Sequence, residues 1–334
     1  MSDFLSLSVH DVCLRLTQTK APLFVLHNRP DGDTVGSGVA LVRLCRAMGK
    51  TAHVACIDPI PRRLDFIPTP DEVLPLPITG EREVIAVDVA SPMQLGGLRE
   101  VLTGALAPCF MIDHHEVGEP FCDHLIVPDA AAAGCIVFAI AEELLAMGAI
   151  AELPEGAVAA CFAALSSDTG CFRFSNAGAD AHMAAARMIA AAPRMDTADI
   201  NLRLFDSKFL STIRAEAFAG ANMEVSEDGG IAWLTVTALD RADFDLNEED
   251  FETAIDVVRA LRGVKVAFTV KENRDGKFKA SLRSTGLNVA EVAQSFYGGG
   301  HDRAAGCAVP AKDINDAVSR LLAAIRKQMA KEKA

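Results

Sequence analysis

The residues best able to do chemistry fall in four short stretches. His27-Asn28-Arg29-Pro30-Asp31-Gly32-Asp33 packs one imidazole and two carboxylates into a loop directly after the apolar run Leu23-Phe24-Val25-Leu26. Asp88 ends a second apolar run, Val84-Ile85-Ala86-Val87, and Asp113-His114-His115 ends a third, Cys109-Phe110-Met111-Ile112. Asp168 closes a helical stretch within Ser166-Ser167-Asp168-Thr169-Gly170. An oxygen-rich set with a few imidazole nitrogens suits a hard divalent cation. Asp31 and Asp33, two apart on a turn, could serve two ions or two faces of one. The structural alternative is that each aspartate closes a turn and caps the following helix. That accounts for any one of them, but not for histidines joining them at two strand ends in a chain with only eight. Gathered in one cleft, Asp31, Asp33, Asp88 and Asp168 would repel one another. Two divalent cations would cancel that charge, with His27 and His114 as nitrogen ligands, and such a site activates a water and stabilises charge on a phosphoryl group.

For these residues to meet, the elements carrying them must end on one side. Alternating strands and helices, with near-continuous apolar strands, predict an α/β fold built on a parallel sheet covered on both faces. Ligands gather at the carboxyl edge of such a sheet. The pattern predicts helices over 8–19, 34–48, 95–105, 130–147, 155–165 and 178–192, and strands over 23–26, 51–57, 84–87, 109–112, 125–127 and 171–174. Residues 196–220 read as polar helices suited to a linker. A smaller α/β unit follows, with strands over 231–237, 264–271 and 277–283 and a hairpin turn at Glu272–Gly276. A helix near 288–296 leads into Gly298-Gly299-Gly300, and a short strand and a final helix from Asp313 complete it. The expected division is a first domain over 1–193, a helical linker over 194–220 and a second domain over 221–334.

Half of the 334 residues are hydrophobic and 23% are charged, the composition of a soluble globular protein with two domains. No apolar run is long enough to cross a bilayer, and the start lacks the features of a signal peptide, so a cytoplasmic protein without a membrane partner is expected. The nine cysteines are scattered, without a C-x-x-C pair, and read as reduced small hydrophobes. A formal net charge of -13 argues against a broad surface for long duplex nucleic acid. A short substrate gripped by local cations and metal ions is compatible with it.

Asp113-His114-His115 together with H-N-R-P-D-G-D resembles the DHH phosphoesterase superfamily. The S-D-T-G-C-F-R-F segment at 167–174 and G-G-G-H-D-R-A-A-G at 298–306 are similar to its nanoRNase and 3′-phosphoadenosine 5′-phosphate phosphatase branch, in which a three-layer DHH domain is followed by a DHH-associated domain. The resemblance implies two divalent ions, manganese first, with His27, Asp31 and Asp88 holding one and Asp33, Asp88, His114 and Asp168 the other. Asp88 would bridge them. It implies that Asp113 orients the imidazole of His114 and that His115 meets the phosphate as a hydrogen-bond or proton donor. In the second domain, Arg283, Ser284, Gly299, Gly300, His301 and Arg303 would hold a substrate phosphate; the bland reading of the glycine run is a flexible loop. Arg29, Thr34 and Asp302 depart from the usual pattern, at positions bearing on substrate preference. The expected activity is hydrolysis of very short oligoribonucleotides to 5′-mononucleotides, with dephosphorylation of a nucleotide bisphosphate beside it and a homodimer as the expected assembly. The competing readings are a phosphodiesterase for cyclic or linear dinucleotides, and a nucleotide-binding sensor without turnover.

Overall fold

The computed structural model describes residues 4–78, 83–100, 110–116, 118, 120–244, 246, 249–273 and 276–332, without the side chain of His301. The chain forms two compact units, residues 1–207 and 208–334. The junction falls inside the polar helical stretch 194–220.

The first unit is built on a parallel sheet of β1 (Pro22–Leu26), β2 (His53–Ala55), β3 (Glu83–Val87), β4 (Phe110–Asp113) and β5 (Asp123–Ile126), in the order β2-β1-β3-β4-β5. Side chains alternate across a strand, and the two faces bury different sets. Phe24, Leu26, Ile85, Val87, Phe110 and Ile112 join one core, with residues of the helices Val9–Gln18, Gly32–Ala47, Ala133–Ala146 and Glu155–Asp168. Leu23, Val25, Val84, Ala86 and Met111 join the other, with Leu95 and Leu98. Burial on both faces explains why the strands read as continuous apolar runs.

Two helices of the first core approach closely. A Cβ at Gly36 would lie 2.5 Å from the Ala160 carbonyl oxygen and 2.9 Å from the Ala164 Cβ. Only a residue without a side chain lets the Gly32–Ala47 and Glu155–Asp168 helices pack at this distance. The same two helices carry Asp33 and Asp168.

Two local expectations change. Residues 171–174 form a tight turn rather than a strand, because Gly170, Cys171 and Phe172 are all left-handed, with φ of 55°, 56° and 60°. The Thr169 carbonyl accepts from the Arg173 and Phe174 N–H groups at 2.9 and 3.0 Å, so these donors are satisfied locally and have none to offer a sheet. Of the helix expected over 95–105, residues 95–98 belong to a 3₁₀ turn, Pro92–Leu98, kinked at Gly96, and 99–100 are α-helical; residues 101–109 lie outside the described set.

The second unit is a mixed sheet of β6 (Glu224–Val225), β7 (Ile231–Val236), β8 (Val266–Glu272), β9 (Phe278–Ser284), β10 (Gly299–His301) and β11 (Ala304–Val309), in the order β10-β11-β9-β8-β7-β6. β7 and β8 run parallel and the other pairs antiparallel. Val266, Phe268 and Val270 face the helices Val289–Gln294 and Ile314–Lys331, while Ala267, Leu234 and Val236 face Leu210–Asn222 and Ala254–Arg259. Of the expected hairpin turn at 272–276, residues 274 and 275 lie outside the described set.

Candidate metal centre

Because β1, β3 and β4 are parallel and adjacent, His27, Asp88 and His114, each the residue just past its strand, emerge along one edge. The Gly32–Ala47 helix starts at that edge, capped by Asp31, whose Oδ1 accepts from the backbone N–H groups of Asp33 and Thr34 at 3.0 and 3.1 Å. The capping role considered from sequence is therefore real for Asp31, and its carboxylate still reaches the cluster. Asp168 arrives from the last residue of the Glu155–Asp168 helix.

Three groups of ligand atoms form here, each with members within 4.8 Å of one another: His27, Asp31 and Asp88; Asp33, His114 and Asp168; and Asp88, His114 and His115. Asp88 is common to the first and third, and His114 to the second and third. His27 Nε2 stands 3.8 Å from Asp31 Oδ1 and 3.6 Å from Asp88 Oδ2. His114 Nε2 stands 3.5 Å from Asp33 Oδ2, 3.6 Å from Asp88 Oδ1 and 4.0 Å from Asp168 Oδ2. These separations are too long for good hydrogen bonds, yet suit donor atoms arranged about a shared cation.

The imidazoles are oriented by their other nitrogens. His27 Nδ1 lies 2.8 Å from the Asn28 carbonyl oxygen and His114 Nδ1 lies 3.0 Å from that of Ala130. A carbonyl only accepts, so Nδ1 carries the proton in both rings and Nε2 is turned toward the carboxylates. Asp113 does something different from the role the resemblance implies. Its Oδ1 lies 2.7 Å from His115 Nδ1 and accepts the His114 backbone N–H at 2.8 Å, so it holds the His115 ring while a carbonyl holds that of His114.

The electrostatics describe a site short of positive charge. Burial and the neighbouring Asp88 push Asp33 up to about 7, and burial with Asp33 beside it raises Asp168 well above the carboxylate range. Burial opposes protonation of His27, but Asp31 and Asp88 outweigh it and hold the ring up to about 12. His114 behaves alike, raised against burial to about 9 by Asp33 and Asp88. Each of these shifts marks a place where added positive charge is favoured. Asp88 is 2% exposed, and its Oδ1 is buried without any hydrogen-bond donor among the described residues. Its backbone is left-handed, with φ of 59°, a strained conformation for a residue other than glycine. An orphaned carboxylate oxygen, held under strain amid nitrogen and oxygen donors, fits a divalent metal.

Several contacts that support Asp33 and Asp168 had no signature in the sequence. Asp33 accepts from Ala133 and Gly134 N–H at 2.7 and 3.0 Å, at the N-terminus of the Ala133–Ala146 helix, and from Ser37 Oγ at 3.0 Å. Asn176 Nδ2 donates to Asp168 Oδ2 at 3.1 Å and to the Ala131 carbonyl at 3.0 Å. Apart from Ser37, one helical turn from Asp33, these partners lie far off in sequence or in an irregular turn, where no periodicity points to them.

The residues expected to grip a phosphate sit around β9, β10 and β11. Arg283, the residue before the last of β9, lies opposite Ala304, half-buried, with Nη1 donating to the Leu282 carbonyl at 3.0 Å. Burial lowers its pKa. Ser284 Oγ donates to the Leu287 carbonyl, and the Ser284 N–H to that of Arg303. Gly299, Gly300 and His301 form the edge strand β10, antiparallel to β11, where a loop open to an anion was expected. Gly300 has φ of 138°, and a Cβ there would meet the Ala304 carbonyl at 2.5 Å, so backbone pairing demands this glycine. As an edge strand, β10 still turns part of its backbone N–H row away from the sheet. Arg303 is exposed in the turn between β10 and β11.

Carboxylates and imidazoles gathered on the carboxyl edge of a parallel sheet place this chain among the metal-dependent hydrolases. Residues 23–164 match the DHH family, N-terminal domain, and residues 230–330 match the DHHA1 domain, so the chain belongs to the DHH phosphoesterase superfamily, in its nanoRNase branch. It is 28% identical to the bifunctional oligoribonuclease and PAP phosphatase NrnA of Thermus thermophilus, over 94% of this chain and 92% of that protein. To the protein of the same name from Bacillus subtilis it is 24% identical, over 87% and 90%. The crystal structure of an exopolyphosphatase-related protein from Bacteroides fragilis shares the fold over the full length of both chains, with a TM-score of 0.86 and 20% identity. The exonuclease RecJ bound to manganese shares it with a TM-score of 0.54 and 13% identity, over 98% and 96%.

Proposed function

We propose that the protein is a manganese-dependent phosphoesterase that hydrolyses very short oligoribonucleotides to 5′-mononucleotides and removes the 3′-phosphate of 3′-phosphoadenosine 5′-phosphate. The observation that carries this reading is the strained, buried Asp88, whose carboxylate is common to two ligand groups and whose Oδ1 has no donor. The names of the Thermus and Bacillus relatives support the substrate class.

In this reading His27, Asp31 and Asp88 hold one ion, and Asp33, Asp88, His114 and Asp168 the other. Two bound divalent ions would supply a nucleophile at neutral pH and charge stabilisation at phosphorus. The chain's residues do the rest. Asn28 and Ala130 fix which nitrogen of His27 and His114 faces the site. Asp113 fixes His115, leaving its Nε2 to donate to a non-bridging or leaving oxygen of the phosphate. Arg283, Ser284, Gly299, Gly300, His301 and Arg303 hold a phosphate remote from the scissile bond, which positions the reacting group as well as adding affinity. Ser284 would do so once its hydroxyl turns from the Leu287 carbonyl to the phosphate, whose oxygens only accept. We place the enzyme in the cytoplasm: the described cysteines are unbridged, and no helix among the described residues is long and apolar enough to cross a membrane. A linker over 194–220 and a homodimer belong to the same proposal.

The test is a turnover screen with manganese over di- to pentaribonucleotides, 3′-phosphoadenosine 5′-phosphate, and cyclic and linear dinucleotides of guanine. Fast release of mononucleotides from the shortest RNAs supports the reading. Preference for cyclic dinucleotides would replace it with a signalling phosphodiesterase, and binding without turnover on any of them with a sensor.

A further inference from the structure

Tyr297 is the only tyrosine of the chain and is 99% exposed. It is also left-handed, with φ of 59°, which is costly for an aromatic residue. The cause is the turn between the Val289–Gln294 helix and β10. The Gly298 N–H donates to the Ala293 carbonyl at 2.9 Å and the Tyr297 N–H to that of Gln294 at 3.0 Å. This pair of bonds is a Schellman turn, whose left-handed position is usually glycine. Here three glycines follow immediately, while the one position where glycine would remove strain carries a large ring that buries nothing of itself. Folding gains nothing from that ring, so its use is sought outside the fold.

Its place suggests the use. Tyr297 lies two residues before β10, the edge strand that leads into Asp302 and Arg303, and the turn pins its backbone through two hydrogen bonds. A solvent-facing aromatic on a pinned backbone, next to residues proposed to grip a phosphate, is what base stacking needs. We propose that the Tyr297 ring is a stacking platform for a nucleobase of the substrate, the base lying on the ring while an adjoining phosphate is held at Gly299–Arg303. This rests on the nucleotide-directed reading given above. It assigns Tyr297 to substrate positioning, with a preference for purines, whose larger face stacks better.

The full-length protein grown with 3-fluorotyrosine carries a single fluorine, at Tyr297. Without metal, saturating adenosine 3′,5′-bisphosphate should shift that resonance, and ribose 5-phosphate, at saturation judged by calorimetry, should not. With manganese, Tyr297→Gly should raise KM for diadenylate about tenfold with kcat held, and Tyr297→Phe should keep the wild-type value. Glycine relieves the left-handed strain, so the melting temperature of Tyr297→Gly should hold or rise, which separates lost stacking from lost structure. An unmoved fluorine signal under saturating bisphosphate, or a wild-type KM in Tyr297→Gly, overturns the proposal. Wild-type protein without turnover on any nucleotide would overturn the functional reading instead, and the fluorine titration would still decide whether Tyr297 stacks on a base.

Discussion

Replacing Gly36 by alanine tests how the fold sets the metal site. The added Cβ would sit 2.5 Å from the Ala160 carbonyl oxygen and 3.0 Å from the Ala164 nitrogen, both backbone atoms of the Glu155–Asp168 helix. Neither can swing away, so the helices must part by about 0.5 Å to bring the closest contact merely to the tightest spacing found in proteins. Overpacking of this kind costs about 3 kcal/mol, at the upper end of its usual range, and better helix propensity returns about 1 kcal/mol. The net loss of about 2 kcal/mol corresponds to a melting temperature lower by roughly 4–8 °C for a unit of this size. Asp33 and Asp168 ride on the two displaced helices, so manganese affinity and turnover should fall together by about tenfold or more. The assay is thermal melting without metal, followed by manganese titration and diribonucleotide turnover. Gly178→Ala is the control, because a Cβ there meets nothing and φ is -76°. A Gly36→Ala protein with wild-type melting and wild-type manganese affinity would refute the close-packing argument.

Other perturbations separate charge from structure. Asp88→Ala should abolish turnover at saturating manganese, while the metal-free protein melts at or above the wild-type temperature because one buried like charge is gone; activity near wild type would refute a bridging role. Glu72 is buried and takes a two-pronged ion pair from Arg43, at 2.8 and 3.0 Å, which with other bonds lowers its pKa against burial. A depressed carboxylate stabilises fully above its unfolded value of 4.5 and loses that contribution as pH falls through the folded value, so the advantage of wild type over Glu72→Gln should be largest at pH 7 and shrink below about 4.5. An advantage independent of pH in urea melts at pH 7, 5 and 3.5 would refute the pairing. Arg283→Ala should lower kcat/KM on nucleotide substrates by about 1.5–3 kcal/mol, mainly through KM. Hydrolysis of bis-p-nitrophenyl phosphate, which has no second phosphate to grip, should fall far less; equal losses would place Arg283 at the reacting phosphate.

Much of the site could be read from the chain because its residues sit at fixed points relative to strong local signals. An apolar run that ends in Asp88 or in Asp113-His114-His115 fixes both the strand and the edge where the polar group emerges. Signals failed where long-range or unusual local geometry decides. The alternation in Cys171-Phe172-Arg173-Phe174 has the period of a strand, but left-handed backbone at three successive residues closes a turn. The glycine run read as an anion-binding loop because its composition is that of one. Close approach to β11 requires glycine at 298 and 300 for a different reason, while a Cβ at Gly299 would meet nothing. The tie between Asp113 and His115 was missed because adjacent histidines offer equal claims in sequence, and only the Ala130 carbonyl, brought in by the next strand and turn, takes His114 out of contention.

The central claim is that two ions sit side by side, sharing Asp88. Crystals soaked in manganese and measured above and below the manganese absorption edge would show the ions directly. Two anomalous peaks are expected, one among His27, Asp31 and Asp88 and the other among Asp33, Asp88, His114 and Asp168, with Asp88 bound to both. A single peak, or two that do not share Asp88, would contradict the account.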